Sequence, residues 1–247
     1  MSRFENRTVI VTGGAGGIGL ATAQRFASEG ARVAIADRDA NHAHDVIDQI
    51  KQAGAPDAWA FACDVSDPAQ VASCVSDAIT RGGGSLDVVV NNAGLMTFKS
   101  IVDLTRDDWT RVLGVDLLGA FYFIQQAFQH MKPGGAVVNV ASIHAVETEP
   151  MVAPYAAAKA ALVSLTRSAA LEGKPRGIRV NAVLPGAVDT PMLWDNPNVK
   201  AGVEKIDRAD VGAPSDIAAA IAYLASDDAK FVQGAALVVD GGRLDRL

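Results

Sequence analysis

The stretch Val9–Phe26, VIVTGGAGGIGLATAQRF, places five glycines between positions 13 and 19, after a short apolar run and before a segment with helical spacing. Glycine costs a helix or strand roughly 0.5–1 kcal/mol relative to alanine, so this concentration points to a task other than stability. At the first strand-to-helix turn of an open parallel sheet, glycines allow positive φ and close approach of a phosphate. The helix amino terminus adds free N–H groups and a positive dipole. The loop lacks a Gly-Lys-Ser or Gly-Lys-Thr ending, so a nucleotide-hydrolysing loop does not fit.

Outward from this turn, apolar runs with strand character recur at 8–12, 32–37, 58–64, 87–93, 136–141, 178–183 and 236–240. Each is continuous rather than alternating, which predicts strands covered on both faces. Helical segments lie between them, such as IGLATAQRFASEG with Ile18, Ala21, Phe26 and a closing Gly30, and DIAAAIAYLASD near the end. Regular alternation of strand and helix predicts an α/β fold, a doubly wound parallel sheet of about seven strands with helices on both faces. Neither a repeat nor a low-complexity linker interrupts it, so one domain over residues 1–247 is expected.

Hydrophobic residues make up 49% of the 247-residue chain, enough for a substantial core, and the net charge is -6. Lys and Arg are scattered rather than clustered, which argues against nucleic acid as a partner. Residues 1–14 resemble neither a secretory signal nor a membrane anchor, and no apolar run reaches the roughly 18 residues needed to cross a bilayer. Cys63 and Cys74 form no CxxC pair and have no histidine cluster nearby. Buried free thiols in a reducing cytoplasm are therefore expected, with no metal site.

Asp37 closes the second strand 18 residues after Gly19. A carboxylate there can accept hydrogen bonds from adenosine ribose hydroxyls and repel a 2′-phosphate, which favours NAD over NADP. Arg38 pulls the other way, because a guanidinium can embrace that phosphate. Gly16 adds no basic residue to the loop, and NAD is the reading retained.

A second cluster follows the fifth strand. Tyr155 and Lys159 are four apart on a helix predicted to begin near Pro154, so their side chains share one face, and Ser142 ends the strand before it. A phenol titrates near 10, and an acid or base works best near the operating pH, so a shift of about 3 units, or ~4 kcal/mol, is wanted. An ammonium about 4 Å away at an effective dielectric of about 20 supplies ~4 kcal/mol.

These features together resemble the short-chain dehydrogenase/reductase family from end to end. TGxxxGxG matches Thr12, Gly13, Gly17 and Gly19, and the adenine-contacting acid matches Asp64 with Val65. NNAG matches Asn91, Asn92, Ala93 and Gly94; the family serine matches Ser142; YxxxK matches Tyr155 and Lys159. RVNAVLPGAVDTPM is similar to the PGxxxT stretch, with Pro185 and Gly186, and with Val188 and Thr190 holding the nicotinamide carboxamide. The resemblance implies a Rossmann-type fold and hydride transfer between a carbinol carbon and C4 of the nicotinamide. Tyr155 would move the hydroxyl proton, Ser142 would orient the reacting oxygen, and Lys159 would stabilise the phenolate and bind the ribose. It also adds Gly16 and Ile18 to the expected dinucleotide contacts.

The chain departs from the family at Asp116, in VDLLGAF, where relatives carry Asn in a proton relay. If only the backbone carbonyl matters, the change is mild. If the side chain faces Lys159, a carboxylate partly neutralises the ammonium and raises the tyrosine, giving an alkaline optimum for oxidation. His144, Glu147 and Glu149 stand where relatives place small residues, and with Met192 and Trp194 they are candidates for contact with a polar or hydroxylated substrate. Residues 192–214 form a candidate lid within a substrate loop at about 190–214, with Met192, Leu193 and Trp194 as its apolar face. Helices near 105–130 and 155–171 are apolar on more than one face, and relatives pair these across subunits, which implies a homotetramer, with a dimer as the alternative. The expected activity is NAD-dependent interconversion of a secondary alcohol, hydroxy acid or polyol with its ketone. The rivals are an NADP-linked ketoreductase, such as a 3-oxoacyl reductase, and a dinucleotide-binding sensor without chemistry.

Overall fold

A computed structural model describes residues 2–244. Five apolar runs become strands in the first two-thirds of the chain: β1 (Thr8–Thr12), β2 (Arg32–Asp37), β3 (Ala58–Ala62), β4 (Val88–Asn91) and β5 (Ala136–Val140). After them come β6 (Arg179–Pro185) and β7 (Ala236–Val239). All seven pair in parallel in the order β3-β2-β1-β4-β5-β6-β7. The chain winds outward from β1 to β3, then crosses back to β4, so the strand order reverses between β1 and β4. A crevice opens beyond the carboxyl ends of strands at such a reversal.

The helices are α1 (Gly17–Ser28), α2 (Ala40–Asp45), α3 (Ile47–Gln52), α4 (Pro68–Arg81), α5 (Arg106–Leu113), α6 (Ala120–His130), α7 (Ala153–Gly173), α8 (Pro191–Trp194), α9 (Pro197–Lys200) and α10 (Pro214–Ala225). Successive strand residues point to opposite faces, and each face has its own core. Val9, Val11, Val33 and Ile35 pack under Phe26 of α1 and Ile217 and Ile221 of α10. Ile10, Ala34, Val89 and Val137 pack under Val71 and Val75 of α4 and Phe123 of α6. Phe26 and Phe123 are fully buried, each contributing about 2 kcal/mol or more of burial free energy.

Local chemistry sets the helix starts. Asp67 caps α4 by accepting from Ala69 N at 2.9 Å, with Pro68 in the first turn. Thr105 and Asp108 form a reciprocal capping box on α5, and Lys99 Nζ bonds Asp108 at 2.7 Å. No side chain caps α1 or α7, and both of these helices begin at the crevice.

Double coverage holds at the sheet centre and fails at its edge. Leu237 and Val238 of β7 are 37% and 41% exposed, because β7 is an outer strand. The 58–64 run also ends early as a strand, since Asp64 turns to accept from Ser66 N at 2.9 Å.

Candidate active site

The carboxyl ends of β1, β4, β5 and β6 border one cleft of about 350 Å³, within the usual range for small-molecule sites. On one side lie Gly13, Gly16, Gly17 and Ile18, and on the other Pro185, Gly186, Val188 and Thr190, with Ala93 and Gly94 between. Gly13 and Gly17 have φ of +60° and +51°, which a side chain would strain. A Cβ on Gly17 would stand 3.2 Å from Thr190 Cγ2, narrowing the cradle. The cradle therefore leaves the uncapped start of α1 open to an anion, and the residues fit a dinucleotide pyrophosphate.

Several expected dinucleotide contacts serve this cradle from behind. Gly19 faces the protein: a Cβ there would lie 2.0 Å from Gly13 O and 2.6 Å from Asn92 Nδ2, so glycine lets α1 close on the loop. Asn91 is buried, its Nδ2 donating to Asn139 Oδ1 at 2.8 Å, and it is Asn92 that reaches the cleft. Asn92 Nδ2 donates to Thr12 O at 2.9 Å, while Thr12 Oγ1 accepts from Asn92 N and Ala93 N, each at 2.9 Å, stapling the β1 and β4 loops. Asp37 accepts from Ala15 N at 3.2 Å beside the loop, and Arg38 is exposed. Asp64 caps its own turn, and Val65 is buried against Gly119.

Ser142, Tyr155 and Lys159 meet at the cleft floor, 6%, 7% and 3% exposed. Ser142 starts a short 3₁₀ turn, Ile143–Ala145, its Oγ accepting from His144 N at 3.2 Å, and it hydrogen-bonds Tyr155. Lys159 Nζ donates to Val140 O at 3.0 Å and sits 5.4 Å from the centre of the Tyr155 ring.

Between α5 and α6 the helix widens to a π-helical segment, Gly114–Gly119, of the kind common at functional sites. It turns Asp116 inward, 1% exposed, with Oδ2 accepting from Leu95 N at 3.1 Å and Oδ1 3.2 Å from Lys159 Nζ. Of the two alternatives left open by the sequence, the side chain therefore faces the lysine. A Cβ on Gly94 would come within 2.8 Å of Asp116 Oδ1, so glycine makes room for this pair.

The ion pair changes the expected acidity. Burial is the largest influence on Tyr155 and pushes its phenol up; Lys159 pulls it down, and Asp116 raises it again. The net direction is upward, opposite to the lowering expected from a lone lysine, because burial outweighs the pull of Lys159 and Asp116 adds to it. Burial opposes the ammonium, yet Asp116 and then Tyr155 hold Lys159 above its ordinary range. Desolvation raises Asp116 against the pull of Lys159.

At the substrate side, His144 lines the cleft with its ring edge-on to Tyr155, centroids 5.8 Å apart. Burial lowers its pKa, favouring neutral imidazole. Met192 and Leu193 line the cleft, but Trp194 does not: its Nε1 donates to Asp189 at 2.6 Å and its ring carries Arg208 at 5.1 Å. Glu149 contributes behind the wall, accepting from Asn196 Nδ2 at 2.8 Å. The 190–214 loop holds two short helices, α8 and α9, each led by proline, and Gly212 N ties back to Ala187 O at 3.0 Å. Met96, Asn196, Glu204 and Arg243 also line the cleft, and no sequence signal marks them.

With this geometry in view, the comparisons are specific. Residues 13–243 match a family model described as Enoyl-(Acyl carrier protein) reductase. The chain is 43% identical to cis-4-hydroxycyclohexanecarboxylate dehydrogenase of Sinomonas cyclohexanicum, covering 97% of each chain. It is 39% identical to 3beta-hydroxysteroid dehydrogenase 1 of Eggerthella lenta, over 97% of this chain and 94% of the relative. A short chain dehydrogenase from Burkholderia cenocepacia J2315 in complex with NADP superposes with a TM-score of 0.89 at 35% identity, over 97% and 98% of the two chains. The chain belongs to the short-chain dehydrogenase/reductase family. Its fold is the Rossmann-type doubly wound sheet of that family's solved members.

Proposed function

We propose that this protein interconverts a secondary alcohol and its ketone with NAD, in one dinucleotide-binding domain. The observation that carries the reading is the opening of the glycine cradle and of Ser142, Tyr155 and Lys159 into one cleft. When bound, the dinucleotide supplies the hydride acceptor and a positively charged ring. Ser142 Oγ holds the substrate oxygen beside Tyr155, and the Tyr155 hydroxyl takes its proton in oxidation or returns it in reduction. Lys159 stabilises the phenolate and holds the nicotinamide ribose, while Asp116 fixes the ammonium and restrains its effect. Asp37, at the end of β2 beside the phosphate loop, supports preference for NAD.

Exposed Arg38 supports the second reading, an NADP-linked ketoreductase, and one relative of known structure binds NADP. Initial rates with NAD⁺ and NADP⁺ over a panel of alcohols, polyols and hydroxy acids decide between them: higher kcat/KM with NAD⁺ supports the first reading, and turnover with NADP⁺ alone supports the second. A sensor would bind either dinucleotide and turn over nothing. No helix among the described residues is long and apolar enough to cross a membrane. Free buried Cys63 and Cys74 support a cytoplasmic setting. Leu118 and Phe121, exposed on the π-helical segment and α6, and Leu171, exposed on α7, support a homotetramer, which sedimentation tests against a dimer.

A further inference from the structure

The cleft carries charge that the proposed chemistry leaves unused. Arg243, from the segment after β7, forms an ion pair with Glu204, from the segment between α9 and α10, and both line the cleft. Asn196 Nδ2 donates to Glu149 Oε1 at 2.8 Å and lies 3.4 Å from Glu204 Oε2. Among the described residues Glu149 Oε2 is buried without a partner, so two carboxyls approach each other across one amide. Two carboxylates this close repel each other, which disfavours ionisation of both.

Burial and Glu149 push Glu204 up to about 7 even with Arg243 beside it. The single guanidinium of Arg243 is thus engaged by Glu204, with the Glu149 carboxyl close behind it. His144, the other titratable group at this wall, is held toward its neutral form by burial. The surface offered to a substrate is rich in hydrogen-bonding groups, has its guanidinium already paired, and is flanked by apolar Met192 and Leu193.

We propose that Glu204 is a specificity-determining residue which, by engaging Arg243 at the cleft wall, selects uncharged hydroxylated substrates and rejects alcohols bearing a carboxylate. The proposal rests on the alcohol dehydrogenase reading and narrows its substrate class. An incoming carboxylate must displace Glu204 from Arg243 and leave a second anion beside Glu149, in a partly desolvated place where like charges repel. A neutral hydroxyl exchanges hydrogen bonds with the same groups without separating the pair. Glu204→Gln keeps the shape and the amide-compatible contacts, but frees the guanidinium to bind a carboxylate.

The test uses matched pairs differing only in charge, such as 4-hydroxycyclohexanecarboxamide with 4-hydroxycyclohexanecarboxylate, and lactamide with lactate. Two readouts are taken on the full chain: kcat/KM from NADH formation, and calorimetric binding of each member to protein saturated with NAD⁺, which needs no turnover. The wild type is expected to favour the amide member by about tenfold. In Glu204→Gln the ratio should shift by about tenfold or more toward the carboxylate, and in Arg243→Met it should move further toward the amide. The second variant carries the test if the first fails to fold. Equal or stronger binding of the carboxylate by the wild type overturns the proposal, as does an unchanged ratio in both variants or failure of every pair to bind. A protein that does not bind dinucleotide in the same calorimeter contradicts the dehydrogenase reading instead, so the two failures are told apart.

Discussion

At the glycine-loop end the cleft is lined by Gly13, Gly16, Gly17 and Ile18 of one short turn, whereas at the substrate end it is lined by side chains such as His144, Asn196, Glu204 and Arg243. The first surface recognises by shape, through positive φ, absent Cβ atoms and an uncapped helix start. The second recognises by charge and hydrogen bonding, through groups brought together only by the sheet. A backbone surface tolerates almost no added volume, and a side-chain surface can be retuned one group at a time. Dinucleotide binding is therefore expected to be brittle, and turnover and selectivity adjustable, within one cleft.

The largest effect sharpens this division at the catalytic floor. Tyr155→Phe removes the proposed proton carrier without disturbing the cradle, so kcat should fall by about 10³-fold or more while NADH binding, read by fluorescence, stays near the wild-type affinity. Loss of both together would break the separation. Next comes the cradle itself: Gly19→Ala drives a Cβ to 2.0 Å from Gly13 O, a backbone atom. Destabilisation of about 3 kcal/mol is expected, seen as a lower thermal midpoint, with weakened dinucleotide binding in the fraction that folds. An unchanged midpoint would show that the loop yields more readily than the contact allows.

A smaller effect is expected at Asp37, the side chain proposed to favour NAD beside the phosphate loop. Asp37→Ala removes the carboxylate that disfavours a 2′-phosphate, so the ratio of kcat/KM for NAD⁺ over NADP⁺ should fall by about tenfold. A ratio that does not move would assign cofactor choice to other residues.

The same contrast explains what was legible in the sequence. Seven apolar runs marked seven strands because parallel strands buried on both faces must be continuous, and the less buried strands, β3 and β7, lie at the two edges of the sheet. Tyr155 and Lys159 were legible because four residues on a helix fix their relation, and Ser142 because it ends the preceding strand. The orientation of Asp116 was not: the π-helical segment that turns it toward Lys159 leaves no composition signal. Gly19 and Asn91 belong to recognisable motifs, and the Cβ position of the first and the side chain of the second face the frame behind the cleft. Trp194 looked like part of an apolar lid, and Asp189 and Arg208 hold it elsewhere. Glu204 and Arg243 are 39 residues apart and meet only because the loop before α10 and the segment after β7 reach the same wall.

A buried carboxylate beside Lys159 adds to burial in holding the Tyr155 phenol above its ordinary range. In the proposed mechanism alcohol oxidation requires the Tyr155 phenolate, so a phenol raised by burial and by Asp116 is expected to confine oxidation to alkaline pH. Asp116→Asn keeps an acceptor for Leu95 N and removes the charge, which frees the ammonium to act on the phenol. The most direct measurement is the pH dependence of NADH formation in the wild type and in Asp116→Asn under saturating substrate and NAD⁺. The rising alkaline limb should move down by about one pH unit in the variant. Superimposable limbs, or a limb displaced upward, would contradict the claim.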